Sequence, residues 1–414
     1  GGKKYKKNEE MKRQHTTPLS RRMATTSGPP SSHLTTFVPL LLLLFIVTVP
    51  RMASAWSVDW INLGSKIGGI SPPRSGHVAF ELDGKVFVFG GYAEESPEKR
   101  YPINDLWVYD PKKEGEPASW TEVNTPSSPQ QRLAAAAVTC KLDDKTTAGL
   151  VVGGWDSQEA GTGGVILQDL QAYMQHNTEW KELSFDLEEP TSRLCAVTLG
   201  DGPSSKVLVH NHRCTDHVIV LDLIASKMIR QPTLGTAPSA RGLHTCAQLP
   251  NSSKIVLFGG AAQSGDMSNE LFILDSHTWT WESVEVEGDP DASLSKPSPR
   301  ASPCLVALDE QTCVVFGGAS RTNEGGLHGC SDTWLLELVP ASEGGKTKAK
   351  WKLVYPDGAE ESPPGRNAAT LTPLSKPAVL QNGGDKTEQY FLLSGGWYPF
   401  RTTYADNYLL KVSK

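Results

Sequence analysis

The densest group of chemically capable side chains in this 414-residue sequence is the segment 210–217, HNHRCTDH. It brings His210, His212 and His217 together with Cys214 and Asp216. On a strand, residues two apart share a face, so His210 and His212 could turn both rings toward one metal ion. The competing reading, which we prefer, is a loop that has filled with polar residues, and no cofactor is expected. A second set is a series of six arginines: Arg74, Arg132, Arg193, Arg241, Arg300 and Arg366. Cations gathered around one axis would attract a carboxylate-bearing peptide or glycan. A residue present in every copy of a repeat also has a structural reading, as the partner of a repeated acid or of loop carbonyls, and this reading has the greater weight. Tyr92, Trp155, Trp397 and Tyr398 lie in or beside long loops, where aromatic rings anchor interfaces or stack on sugars. Trp155 and Trp397 directly follow diglycines, so packing between repeats competes with binding there. Asn251-Ser252-Ser253 is an N-glycosylation sequon, placed where a hairpin tip is expected.

Other chemistry is poorly supported. No GxSxG, HExxH or phosphate-loop pattern occurs, and Gly161-Thr162-Gly163-Gly164 lacks the Lys and helix of a phosphate cradle. The seven cysteines show no CxxC pair and no regular spacing, so they read as small buried apolar side chains. The net charge of −6 conceals an asymmetry. Residues 1–55 hold nine of the 40 basic residues and two of the 46 acidic ones, which leaves the rest at −13. So acidic a body repels phosphate backbones, and nucleic acid is not an expected partner.

The elements that must position these side chains recur. From Trp56 onward, each copy runs through an Arg after a turn, an apolar run, a β-run ending in Gly-Gly, an acid that opens another β-run, and a Trp-centred strand. The arginines stand 58, 61, 48, 59 and 66 residues apart. The diglycines are Gly90-Gly91, Gly153-Gly154, Gly259-Gly260, Gly317-Gly318 and Gly395-Gly396. The third copy carries Asn211-His212 instead. The acids are Asp105, Asp169, Asp216, Glu270, Asp332 and Asp406, and the late aromatics are Trp120, Trp180, Trp281 and Trp351, with Met228 in the third copy. Runs such as VFVFGG and KIVLFGG are short β-branched or aromatic strands that end at a turn. Four such strands per copy form a sheet that cannot bury both faces alone, whereas a radial arrangement packs each sheet on the next. The last copy ends without a Trp strand, and an orphan one, WSVDWINL (56–63), precedes the first Arg. It is expected to complete the sixth sheet, which removes the open edges.

This order of Arg, diglycine, acid and Trp resembles the kelch repeat. Pro73-Arg74-Ser75-Gly76-His77 and Arg241-Gly242-Leu243-His244 are similar to its Pro-Arg-x-Gly-His subclass. The resemblance covers 56–414 and implies an all-β, six-bladed kelch-type β-propeller closed by its N-terminal strand. It also implies a binding scaffold for a protein or glycan, with the arginine strand near the central channel. Some kelch-like propellers are enzymes or metal-dependent specifier proteins, but the iron-binding Glu-x3-Asp-x3-His pattern of the latter is absent here. A lumenal metal-dependent enzyme is therefore the alternative. Upstream, Phe37–Val49 is an uncharged run after Arg21-Arg22 and before Ala53-Ser54-Ala55. It is too short for a comfortable membrane span and fits a signal-peptide core. We expect residues 1–22 to be an upstream extension, 23–55 a signal peptide, and 56–414 a monomeric secretory-pathway propeller with no membrane span. A plastid presequence, or a cytoplasmic chain if the signal is unused, are the alternatives.

Overall fold

A computed structural model describes residues 56–64, 71–96, 99–111, 118–158, 163–287, 295–340, 345–374 and 388–414. The expected extension 1–22 and signal peptide 23–55 lie outside the described residues, as do parts of the loops 155–168, 286–299, 340–350 and 374–388. The described residues are all strand, turn and loop, without an α-helix, and hold no helix long and apolar enough to cross a membrane.

The strands form six blades, each built on four antiparallel strands, and three of the sheets carry one further two-residue strand. Blade one consists of Val78–Leu82, Lys85–Ser96, Lys99–Asp110 and Ser119–Glu122; blade two of Ala136–Lys141, Thr147–Asp156, Val165–Met174 and Glu179–Glu182. Blade three is Cys195–Thr198, Lys206–His210, His217–Asp222 and Lys227–Pro232; blade four is Thr245–Gln248, Lys254–Phe258, Leu271–Asp275 and Thr280–Ser283. Blade five is Cys304–Ala307, Thr312–Phe316, Thr333–Val339 and Lys348–Tyr355. Blade six takes Thr370–Leu374, Gln389–Ser394 and Asn407–Ser413 from the end of the chain and Ser57–Asn62 from its start, with Ser57 opposite Ser413 and Asn62 opposite Tyr408.

Alternation within each strand sends apolar side chains to both faces, and the core is the stack of layers between neighbouring blades. The late tryptophans supply its largest pieces. Trp180 of blade two lies 4.7 Å from Phe89 of blade one, Trp351 of blade five 5.2 Å from Phe258 of blade four, and Trp60 of blade six 4.8 Å from Phe316 of blade five. In each pair the indole meets the residue just before the neighbouring blade's diglycine. Trp60 also donates its Nε1–H to Thr333 Oγ1 at 3.0 Å, which fastens the closing strand to blade five. None of the seven cysteines is in a disulfide; six are buried and Cys246 is half-buried.

Two features build the centre. The first glycine of each pair sits where a Cβ would collide with the next blade: at Gly317 it would fall 2.6 Å from the Arg366 carbonyl oxygen. The second glycine donates its N–H across the same gap, as from Gly318 to Arg366 O at 2.8 Å. Closer to the axis, six residues with positive φ (Gly76, Ala134, Arg193, Leu243, Ser302 and Ala368) form a closed backbone circle. Each N–H donates to the carbonyl of its counterpart in the preceding blade, at 2.7–3.3 Å. Five of the six are not glycine, and each left-handed residue costs about 1 kcal/mol, so the circle is held against local preference.

Candidate functional site

Five repeat arginines are architecture. Arg74, Arg132, Arg241, Arg300 and Arg366 are at most 2% exposed. Arg300 shows the pattern. Its Nη1 and Nη2 donate to the two carboxylate oxygens of Asp332 at 2.6 and 2.8 Å, Nη1 also to Gly317 O at 2.9 Å, and Nε to Ser298 O at 3.0 Å. Arg74–Asp105, Arg132–Asp169 and Arg366–Asp406 repeat this two-pronged bond, and Arg241 reaches Glu270 by a single prong at 2.6 Å. The acid is held from its other side as well, since Trp107 donates to Asp105 and Trp334 to Asp332, each at 2.7 Å. These pairs clip the first glycine of the diglycine to the acid-led strand and commit most of each guanidinium's N–H groups within the blade.

Arg193 is different, and the sequence register there needs correction. It belongs to the axial circle, two places beyond the repeat-arginine position, and it is exposed. Thr191 stands at the repeat position: its carbonyl accepts from Gly154 as Arg366 O accepts from Gly318. With Thr191 in place, the spacing from Arg132 becomes 59, the same as from Arg241 to Arg300. The interval from Thr191 to Arg241 is then 50, still the shortest in the series, so the spacing alone does not expose the shift. The repeat acid of this blade, Asp216, is 87% exposed and pairs with His217 instead of an arginine.

Blade three therefore lacks the arginine, the diglycine and the hairpin that follows it. Its face is low between the hairpins of blades two and four, and the result is a notch with a cavity of ≈ 340 Å³. Trp155 and Ile166 wall it from blade two, Ala262 and Gln263 from blade four, and Arg193 and His212 line it from blade three. Ile166 is 46% exposed. Gly242 matters here, because a Cβ on it would come within 3.0 Å of Arg193 Cβ. Among the described residues no ion pair holds the Arg193 guanidinium. Burial, then the charges of Arg213 and Arg193, lower the His212 pKa, so its ring stays neutral at pH 7. The axial channel, a second cavity of ≈ 250 Å³ lined largely by alanines, shares Arg193 and Leu243 with the notch.

The histidines singled out in the sequence do not converge. His210 is buried and points its Nδ1 at His244 Nε2 of blade four at 2.9 Å; His212 faces the notch; His217 is bonded to Asp216 at 2.7 Å. Among the described residues no three His, Cys, Asp or Glu side chains are arranged to hold a metal ion. Of the rim aromatics, Trp155 walls the notch. Tyr92 and Trp397 sandwich the Arg100 guanidinium at 5.2 and 5.0 Å, away from the notch, at the junction of blades one and six. Tyr398 lies on the neighbouring hairpin. Asn251 is exposed at the turn between the first two strands of blade four, the opposite end of that blade from its diglycine.

Six sheets joined in a circle, five of them clipped by an arginine–acid pair under a diglycine turn, define a six-bladed β-propeller. The chain belongs to the kelch-repeat family. The KLHDC2/KLHL20/DRC7 Kelch-repeats domain matches residues 206–393 and the Kelch motif matches 73–116. Adagio-like protein 3 of Oryza sativa subsp. japonica is 34% identical over 42% of this chain and 25% of its own length. Putative adagio-like protein 2 of the same species is 26% identical over 81% of this chain and 50% of its own. Kelch domain-containing protein 2 of Bos taurus is 24% identical over 63% of this chain and 66% of its own. The chain thus spans a quarter to a half of the adagio-like relatives. The solved structure of YjhT is similar in fold, with a TM-score of 0.57 and 14% identity over 84% of this chain and 100% of its own.

Proposed function

We propose that this propeller is a non-catalytic interaction scaffold, and that the notch over blade three receives a segment of a partner protein bearing a carboxylate beside an apolar side chain. Arg193 carries the reading: it is the repeat-region arginine with no acid of its own, set beside the Trp155 indole, the Ile166 side chain and a neutral imidazole. A partly desolvated guanidinium binds carboxylate with charge-assisted bonds, and an aromatic wall takes the neighbouring apolar group. The test uses residues 56–414 and an array of acidic and amide-matched peptides. Arg193→Glu should abolish binding of the acidic series, Arg193→Lys should weaken it about tenfold through loss of the planar fork, and melting should be unchanged. Equal binding by all three proteins would refute the site. Selection of acidic sugars over peptides would move the ligand class to glycans.

We further propose that the chain enters the secretory pathway. The support is the uncharged run Phe37–Val49 followed by Ala53-Ser54-Ala55. N-terminal sequencing of the protein recovered from its native host should begin at Trp56, and a chain that retains residues 37–55 would exclude cleavage there.

A further inference from the structure

Across the face from the notch, three side chains from three separate segments meet between blades five and six. His328 lies on the hairpin Ala319–Arg321/Leu327–Gly329. Asp357 follows the last strand of blade five. Tyr398 lies on the hairpin Trp397–Tyr398/Thr402–Thr403. His328 Nε2 is 2.5 Å from Asp357 Oδ2, and His328 Nδ1 is 3.1 Å from the Tyr398 hydroxyl.

The supports of this line are specific. Asp357 Oδ1 accepts from the Ser331 N–H at 2.7 Å and from Ser331 Oγ at 2.6 Å, and Ser331 Oγ in turn accepts from the Gly358 N–H at 2.7 Å. Partial burial works against the Asp357 charge, but the bonds from Ser331 and His328 outweigh it and hold the carboxyl below its ordinary range. An ionised carboxylate only accepts, so in its neutral form His328 carries the ring proton on Nε2. Its Nδ1 is then a bare acceptor facing the phenol, which donates O–H to it. Gly329 allows the Tyr398 ring to lie close, since a Cβ there would be 3.0 Å from Tyr398 Cδ2. The Arg401 guanidinium sits 5.0 Å from the same ring. A nucleophile within reach of a base, and the base oriented by a third group, is the arrangement that activates a hydroxyl.

We propose that Tyr398 is a nucleophilic tyrosine that accepts an acyl group from an activated acyl donor, with His328 as its base and Asp357 as the positioning residue. Tyr398 Oη attacks the acyl carbonyl carbon, and the C–O bond forms. The phenol proton passes to His328 Nδ1, and the leaving group departs with the electron pair of its bond to carbon. The product is an O-acyl tyrosine. This site shares no residue with the notch and stands or falls apart from it.

The probe is N-acetylimidazole, with site-by-site O-acetylation of residues 56–414 followed by peptide mass spectrometry. Tyr101 is 41% exposed and Tyr398 is less so, and exposure alone therefore ranks Tyr101 as the faster. Base assistance instead makes Tyr398 faster by on the order of 100-fold. Asp357→Asn can keep the Ser331 bonds, but it lets Nδ1 carry the ring proton, and the rate at Tyr398 falls to that of Tyr101. His328→Ala does the same, and added free imidazole restores the rate, which a purely structural role for His328 would not produce. A wild-type Tyr398 no faster than Tyr101, or a rate unchanged in His328→Ala, overturns the proposal.

Discussion

A guanidinium inside a protein is tolerable only when most of its N–H groups are taken, and this chain meets that condition five times with a repeat Asp or Glu, a diglycine carbonyl and the carbonyl two residues before. The same logic governs its buried imidazoles. Burial, then the nearby arginine charge, pushes His77 and His244 down to about 3, and burial, then the neighbouring His244 and Arg241, holds His210 well below its ordinary value. Each ring is neutral in the folded chain and protonates near 6.5 when unfolded. The unfolded state thus binds more protons as the pH falls from about 6.5 toward 3, and stability is lost over that window, by about 1.4 kcal/mol per pH unit for each histidine. Denaturant midpoints at pH 7.5 and 5.0 should show this, and His244→Leu should lower the dependence by about a third. An unaltered dependence would mean that His244 is already charged in the folded state. His77 donates to or accepts from Thr370 Oγ1 at 2.9 Å, and His244 meets His210, so both bind the preceding blade from equivalent positions.

Strands were easier to read from the sequence than the gaps between them. Alternating apolar runs ending in Gly-Gly mark the second strand of five blades because two independent constraints, a positive φ and a missing Cβ, fall on those glycines. The acid-led strand is legible because its carboxylate is the counter-charge of the buried repeat arginine. Blade three was legible through its strands and its acid, Asp216, although Thr191 stands for the arginine, Asn211-His212 for the diglycine and a short turn for the hairpin. Arg193 was singled out as a repeat arginine and lies elsewhere, in the axial circle, since a one-letter pattern cannot tell a side chain two places out of register. His328 and Asp357 carried no signal at all. They are 29 residues apart in two loops of blade five, and only the closure of blade five against blade six brings them to one tyrosine.

At the scale of the molecule, the circle closes through its ends. Ser57–Asn62 pairs with Asn407–Ser413, and Trp60 packs on Phe316. Trp60→Ala should therefore cost about 3 kcal/mol, as for other large-to-small changes in a core. Hydrogen exchange should rise together in 57–62 and 407–413, two segments at opposite ends of the sequence. Loss of protection confined to 57–62 would mean that the last blade stands without its closing strand. Cleavage after Ala55 would leave that strand intact.

The axial circle has a further consequence. Its six N–H→O bonds run head to tail around the axis, so their dipoles are tangential and sum to nearly nothing along the channel. His77 and His244 are neutral there, and Arg193 is left as the sole formal charge among the described residues that line it. A body with six similar sectors would offer an arriving ligand six rotational settings of nearly equal energy. One cation in one sector removes that degeneracy, and sets a bearing from which every other loop on the face can be told apart.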